Sequence, residues 1–296
     1  MPGRAHRYRR VMDILLTGAT GFIGSSVLTA LRKHGHHVVA LVRTDEKAAV
    51  VLDRGADATV GDITDLDLLA RLVRESDAVI HTASPGDASS ATVDSDVVDV
   101  VLREFAGTDK PYVHTGGIWV YGDNDDIVET DPFQPVDLTG WRLPIEQRVR
   151  DSDVRTTIVA PAIVYGHRGG IPNLLVGESE LRLVADGSQH WTTVHVDDLA
   201  ELYVLAVEAA AQDEYYAAAS GENPTVLELA TAAARALGLP VVAESADETR
   251  ARLGAPFTDA LLLDQQATGR HAKDTLGWFI TEETLLHEFS KGAYSA

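Results

Sequence analysis

Through the first 160 residues, short apolar runs of strand length alternate with longer runs whose apolar residues recur every three or four positions. The opening run, residues 11–16, reads Val-Met-Asp-Ile-Leu-Leu, and a periodic run from Phe22 to Leu31 follows it. The same reading predicts strands over 37–43, 58–60, 77–82, 111–115 and 155–160. It predicts helices over 45–54, 65–75 and 92–105, with Leu66, Leu69 and Leu72 sharing one face of the second. A Ser/Gly/Pro-rich loop is expected over 84–91. Such alternation predicts an α/β fold, a doubly wound parallel sheet with helices on both faces. Right-handed crossovers then gather the C-terminal strand ends on one edge, where a ligand binds.

Beyond Pro161 the regularity breaks. Residues 166–177 read as a loop, 191–196 as a strand and 196–211 as a strong helix opening on Asp197 and Asp198, whose carboxylates are expected to cap it. A return to the sheet is predicted at 215–218. An Ala/Leu helix over 225–237, closed by Gly238, precedes a short strand at 239–243, and a last helix is predicted at 283–291.

The junction between the first two elements carries candidate chemistry. Gly18, Gly21 and Gly24 sit between strand and helix in a G-x-x-G-x-x-G spacing. Gly18 allows the tight turn, Gly21 lets backbone approach a diphosphate, and Gly24 lets helix and strand pack closely. The helix start then offers unpaired N–H groups and a partial positive charge to an anion. The prediction is a Rossmann-type dinucleotide site. It divides the chain into a basic arm at 1–10, a dinucleotide-binding core at 11–165 and a smaller mixed lobe for substrate at 166–296, with 190–220 returning to the core. No linker marks a boundary, so the lobes are expected to share one core.

The second predicted strand ends in Arg43, with Lys47 four residues on. An NAD site carries an acid there for the ribose hydroxyl, whereas a guanidinium suits a 2′-phosphate. NADP is therefore the expected cofactor, although Asp45 and Glu46 are also at hand to pair with these cations.

Composition narrows the field. The chain has 296 residues, 45% apolar, with a formal net charge of -20. That charge disfavours a nucleic-acid partner. No run reaches the ~18 apolar residues of a membrane span. The chain contains no cysteine, which excludes disulfides, thiolate nucleophiles and cysteine-held metals. Its eleven histidines show no metal-ligand spacing, and His81, His114 and His195 read as core or sheet-edge residues. No G-x-S-x-G is present, which removes the α/β-hydrolase reading. The start does not resemble a secretory signal, and a cytoplasmic protein with a small-molecule substrate is expected. A homodimer is left open.

Six short segments, in order, resemble the extended or atypical branch of the short-chain dehydrogenase/reductase superfamily, the NAD-dependent epimerase/dehydratase-like proteins. Thr17-Gly18-Ala19-Thr20-Gly21-Phe22-Ile23-Gly24 resembles the nucleotide loop. Gly61-Asp62-Ile63-Thr64-Asp65 resembles the segment that places Asp62 and Ile63 at the adenine. Ala78-Val79-Ile80-His81-Thr82-Ala83-Ser84 resembles the fourth strand and the turn passing the cofactor ribose. Val120-Tyr121-Gly122-Asp123, Pro161-Ala162-Ile163-Val164-Tyr165-Gly166 and His195-Val196-Asp197-Asp198-Leu199-Ala200 resemble the later landmarks. The resemblance implies cofactor contacts from Thr20, Phe22, Ile23, Asp62, Ile63, Thr82, Ala83, Ser84, Pro161 and Ile163, beside the three glycines, Arg43 and Lys47.

The catalytic pattern departs from the family. Its machinery is a Ser or Thr, a Tyr, and a Lys four residues after that Tyr. No lysine here follows a tyrosine by four. The three positions fall on Gly117, Leu138 and Arg142. Thr115, Tyr121 and Arg142 are the remaining polar groups expected near the nicotinamide, with Tyr121, substrate or water as proton source. The expected function is NADP(H)-dependent oxidoreduction of a small organic substrate. A non-redox dinucleotide sensor, or an epimerase, dehydratase or lyase, is the alternative.

Overall fold

The computed structural model describes residues 10–294. The proposed arm at 1–10 thus lies outside the described residues except for Arg10, whose guanidinium pairs with Asp77 at 3.1 Å. Elements β1 (Asp13–Thr17), α1 (Phe22–Lys33), β2 (His37–Val42), α2 (Asp45–Asp53), β3 (Asp57–Val60), α3 (Leu66–Glu75), β4 (Ala78–His81), α4 (Ser90–Phe105) and β5 (Pro111–Thr115) alternate strictly. A 3-10 turn at Ile118–Tyr121 precedes β6 (Asn124–Ile127), α5 (Arg142–Arg150) and β7 (Arg155–Pro161). The rest comprises β8 (Ile163–Gly166), β9 (Gly169–Gly170), β10 (Leu181–Arg182), β11 (Thr193–His195), α6 (Val196–Ala209) and β12 (Glu214–Ala218). It continues with α7 (Val226–Leu237), β13 (Val241–Val242), α8 (Ala246–Leu253), α9 (Ala255–Leu261), β14 (Gln265–Ala267), α10 (Arg270–Leu276) and α11 (Leu285–Ser290).

Seven strands form one sheet in the order β12-β7-β5-β4-β1-β2-β3, every pair parallel. Both faces are covered, which is why β1 reads as a continuous apolar run rather than an alternating one. Its Ile14, Leu15 and Leu16 are fully buried. Strand order reverses at β1, between β2 and β4, and that switch point opens the crevice for a ligand. On α3 the buried stripe is Leu69, Ala70, Leu72 and Val73, whereas Leu66, at the opening turn, is exposed.

The chain returns to this sheet late. β12 joins its edge against β7, and α6 lies against α1. At the start of α6 the capping group is the His195 ring, whose Nδ1 accepts the Asp197 amide at 3.2 Å. The two carboxylates act elsewhere, correcting the sequence reading. Asp197 accepts from Ser26 and His167, and Asp198 accepts from Thr281 and the Glu282 amide, tying down the C-terminal segment.

The C-terminal lobe has its own apolar cluster, built on Tyr165, Trp191, Leu229, Leu261, Phe289 and Tyr294. The expected single core is therefore two clusters, and Trp119 packs against both. Short strands, two-residue pairings and helices fixed by capping boxes at Thr225/Glu228 and Ser245/Glu248 make up the lobe.

Candidate active site

The nucleotide loop shows which glycine serves the fold and which serves a ligand. Gly18 has φ +77, and a Cβ there would lie 2.7 Å from the Ala83 amide nitrogen. A Cβ on Gly24 would lie 2.1 Å from the Gly18 carbonyl oxygen, so β1 and α1 need both glycines to meet. Gly21 is exposed, has an ordinary extended backbone and would meet only the Gly18 oxygen, at 3.2 Å. Its lack of a side chain leaves space on the outer side of the loop. No side chain caps α1, so its leading N–H groups face that space with the helix dipole behind them. An anionic diphosphate fits this cradle. Thr82 fastens the neighbouring strand end, donating to the Thr17 carbonyl at 2.8 Å, and packs against Gly18 and Gly24.

The ends of β2 and β3 lie side by side, with the Gly61 amide bonded to the Val42 carbonyl. Arg43 is exposed there and, among the described residues, makes no hydrogen bond or ion pair with Asp45 or Glu46. Asp62 Oδ1 accepts the Thr64 amide at 2.9 Å and its hydroxyl at 2.7 Å. These bonds, with Arg43 nearby, hold the Asp62 carboxyl below its ordinary range. Lys47 sits in the first turn of α2, capped by Thr44. The cations and the acid thus share one open edge.

A cleft of about 820 Å³ runs from this loop across the strand ends. Phe22, Ile23, Thr82 and Ser84 line one end, Pro161 and Ile163 the middle, and Thr115 and Arg142 the floor. Gly117 and Leu138 line it as well. The three positions that stand where the family has its hydroxyl, tyrosine and lysine therefore meet in one place, although they carry none of those groups. A Cβ on Gly117 would meet nothing within 4 Å.

Thr115 ends β5 with its hydroxyl committed. It donates to the His81 carbonyl at 2.6 Å and lies 2.7 Å from the Tyr203 hydroxyl. Arg142 Nη1 donates to the Thr115 carbonyl at 3.1 Å, and the guanidinium stacks 4.5 Å from the Trp141 ring. Tyr121 is not in the cleft. It is 1% exposed and packs against Phe133 at 5.1 Å and Tyr215 at 6.2 Å. Its hydroxyl has no partner among the described residues, and burial raises its pKa. In the 3-10 turn Ile118, Val120 and Tyr121 are all buried, and of the turn's side chains it is Ile118 and Trp119 that line the cleft.

Behind the floor lies a buried polar chain that spacing did not reveal. Thr17 Oγ1 meets His81 Nδ1 at 2.6 Å, and His81 Nε2 meets Asp94 at 3.0 Å. Asp94 stands 3.6 Å from His114 Nε2, and His114 Nδ1 bonds Tyr112 at 2.8 Å. Burial lowers the His114 pKa to about 4, so it is neutral at physiological pH. Burial works against the Asp94 carboxylate, but the hydrogen bond with His81 and the Arg142 charge hold its pKa down. One turn past Arg142, buried Glu146 has its pKa pushed up to about 7 by desolvation. One of its oxygens has no partner among the described residues and would meet a Cβ on Gly116 at 2.8 Å. Tyr203 comes from α6, 88 positions from Thr115, a distance at which spacing carries no signal.

The sequence profile of the NAD dependent epimerase/dehydratase family matches residues 14–219. The chain belongs to that family. Within it, an uncharacterised protein of Schizosaccharomyces pombe is 30% identical over 300 residues, spanning 96% of this chain and 100% of that one. A 2-alkyl-3-oxoalkanoate reductase of Stenotrophomonas maltophilia is 26% identical, with 82% of each chain covered. A UDP-glucose-4-epimerase structure from Stenotrophomonas maltophila, with bound NAD and formylated UDP-arabinopyranose, superposes with a TM-score of 0.75 over 96% of this chain and 97% of that one, at 21% identity. That superposition establishes the shared fold. For this epimerase/dehydratase-family protein, a nicotinamide dinucleotide is the cofactor that the loop, the α1 terminus and the β2–β3 edge accommodate. Among the described residues no cluster suited to a metal ion occurs, and no helix is long and apolar enough to cross a membrane.

Proposed function

We propose that the protein is an NADPH-dependent reductase of a carbonyl group on a small organic molecule, working without a Ser–Tyr–Lys set. The observation that carries this reading is Arg43, an exposed guanidinium free of ion pairs among the described residues, at the end of β2. A ribose 2′-phosphate answers that charge, and a 2′-hydroxyl does not. Lys47, on the adjoining helix turn, adds to the field. NADPH is the cofactor form suited to reduction, and the oxoalkanoate reductase among the relatives supports the same direction.

When bound, a reduced nicotinamide would supply hydride to a substrate carbonyl carbon, with water as the proton source for the alcohol oxygen. Among the described residues, Arg142 is the one cation lining the cleft. With one nitrogen held by the Thr115 carbonyl, its other N–H groups are available to the oxygen as negative charge develops. Thr115 positions this guanidinium through its carbonyl, while its hydroxyl donates to the His81 carbonyl. An epimerase or dehydratase that keeps its cofactor is the second reading, supported by the family match.

Deuterium transfer tests the choice. NADPH labelled at nicotinamide C4 is expected to pass one deuterium to product per turnover, with net NADPH consumption. Conversion of substrate without net NADPH consumption would overturn the reductase in favour of the second reading. Arg142→Leu is expected to lower kcat by about 10²–10³-fold, the scale of losing one oxyanion donor, while NADPH affinity stays within a few-fold.

A further inference from the structure

We propose that the substrate is an uncharged carbonyl compound with a flat apolar or aromatic body, and that nucleotide sugars are excluded from this cleft. The inference rests on the reductase reading above and names the substrate class of the same site.

The apolar lining of the cleft includes Ile118, Trp119, Leu138, Trp141, Ile171 and Pro256. Both indoles are half-buried. Trp141 has spent its N–H on the Leu138 carbonyl at 3.0 Å, so the remaining ring offers only apolar surface. Trp119 is braced edge-on by Phe257, with centroids 6.1 Å apart. The Arg142 guanidinium lies over one face of the Trp141 ring, 4.5 Å from its centroid, and holds that indole in place. A planar aromatic ketone matches such surfaces by stacking and area burial. The open volume over Gly117 leaves room for its breadth.

Charge argues the same way. The charged side chains lining the cleft are Asp87, Asp137 and Arg142. A diphosphate bearing two negative charges would meet two acids and only one cation. Three arginines of the lobe are held by acids outside the cleft lining. Arg252 pairs with Glu244 at 2.8 Å, Arg250 with Asp259 at 2.9 Å and Arg182 with Glu180 at 2.5 Å. A sugar ring fares no better. The Thr82, Thr115 and Thr139 hydroxyls that line the cleft donate to the carbonyls of Thr17, His81 and Val136, so these three offer a polyol lone pairs but no proton. Each unpaired sugar hydroxyl would carry its desolvation cost.

The test uses the full chain, with 2-acetylnaphthalene and UDP-glucose as probes. Tryptophan quenching and NADPH oxidation are the two readouts. The naphthyl ketone is expected to bind in the micromolar range with NADPH present and to be reduced, while millimolar UDP-glucose neither quenches nor competes. Trp141→Ala and Leu138→Asn are each expected to raise the ketone KM about tenfold or more, because each removes apolar surface from the ketone's binding face, with NADPH affinity unchanged. Leu138→Asn sits in a surface loop and guards against loss of fold in the tryptophan variant. Micromolar UDP-glucose binding, or a ketone KM indifferent to both substitutions, would overturn the proposal. NADPH titration is read separately from nicotinamide fluorescence. Failure there overturns the cofactor reading, and ketone quenching without nucleotide then still decides the substrate class.

Discussion

The two ends of the cleft follow different rules. At the cofactor end, each residue has a local reason visible in its own segment. Gly18 takes φ +77, a Cβ on Gly24 would lie 2.1 Å from the Gly18 oxygen, and Gly21 leaves open the space in front of an uncapped helix. At the substrate end, nothing local explains the arrangement. Trp119 comes from a 3-10 turn, Trp141 from the start of α5 and Pro256 from α9. They meet because the lobe folds over the strand ends. The contrast teaches that a backbone-built anion site survives as sequence motif, whereas a side-chain-built pocket is legible only once the chain is folded.

The sharpest way to break this comparison is Gly21→Val. A Cβ at this position meets the protein only at the Gly18 oxygen, at 3.2 Å, which a shift of tenths of an ångström relieves. The variant is expected to fold, with an unchanged melting curve, and to lose on the order of 100-fold or more in dinucleotide affinity, as overpacking a filled site does. Normal binding would show that the diphosphate does not cross this loop.

Glu146 probes the buried layer behind the cleft. Its folded-state pKa of about 7 stands above the ordinary 4.5. Between these values the folded state holds a proton that the unfolded state has released, so stability falls as pH rises through that window. Above pH 7 the accumulated loss is on the order of 3 kcal/mol, from the shift at 1.36 kcal/mol per unit. Glu146→Gln is expected to flatten the decline between pH 5 and pH 8, roughly the window that those two pKa values bound. A denaturation series in which wild type and variant fall in parallel would remove the buried carboxyl from this account.

Arg43→Ala sharpens the cofactor side. Removing the guanidinium deprives the 2′-phosphate of one charge-assisted hydrogen-bond partner. The variant is therefore expected to bind NADPH about ten- to a hundredfold more weakly while its NADH affinity stays unchanged. Equal affinity for the two cofactors in the wild type would send Arg43 back to the solvated surface. The smallest effect is expected from Tyr121→Phe. The hydroxyl has no partner among the described residues, so its removal should change stability by less than about 1 kcal/mol and leave NADPH oxidation as it was. A marked fall in rate would restore Tyr121 as proton donor.

Legibility follows sequence distance. The strands and helices of residues 11–160 are readable because each buries a periodic face or a continuous run against its neighbours in the chain. Thr115 and Arg142 are readable because they flank recognisable landmarks, and both line the cleft. Tyr121 carries an equally suggestive position, but one residue's rotation in a 3-10 turn decides that it packs inward. Asp197 and Asp198 look like helix caps, yet the His195 ring takes the amide and leaves both acids for distant partners.

By itself the sequence determined the doubly wound parallel sheet, the glycine loop at its switch point and the cation at the end of β2. Those features depend on backbone torsion, on periodicities of about 2.0 and 3.6 and on neighbouring residues, all of which are written locally. Only the tertiary structure decided which hydroxyls are spent on backbone, which arginines are locked in pairs and which tryptophans face the cleft. Those outcomes come from packing elements far apart in the chain, where burial and hydrogen-bond competition choose among partners that no local pattern distinguishes.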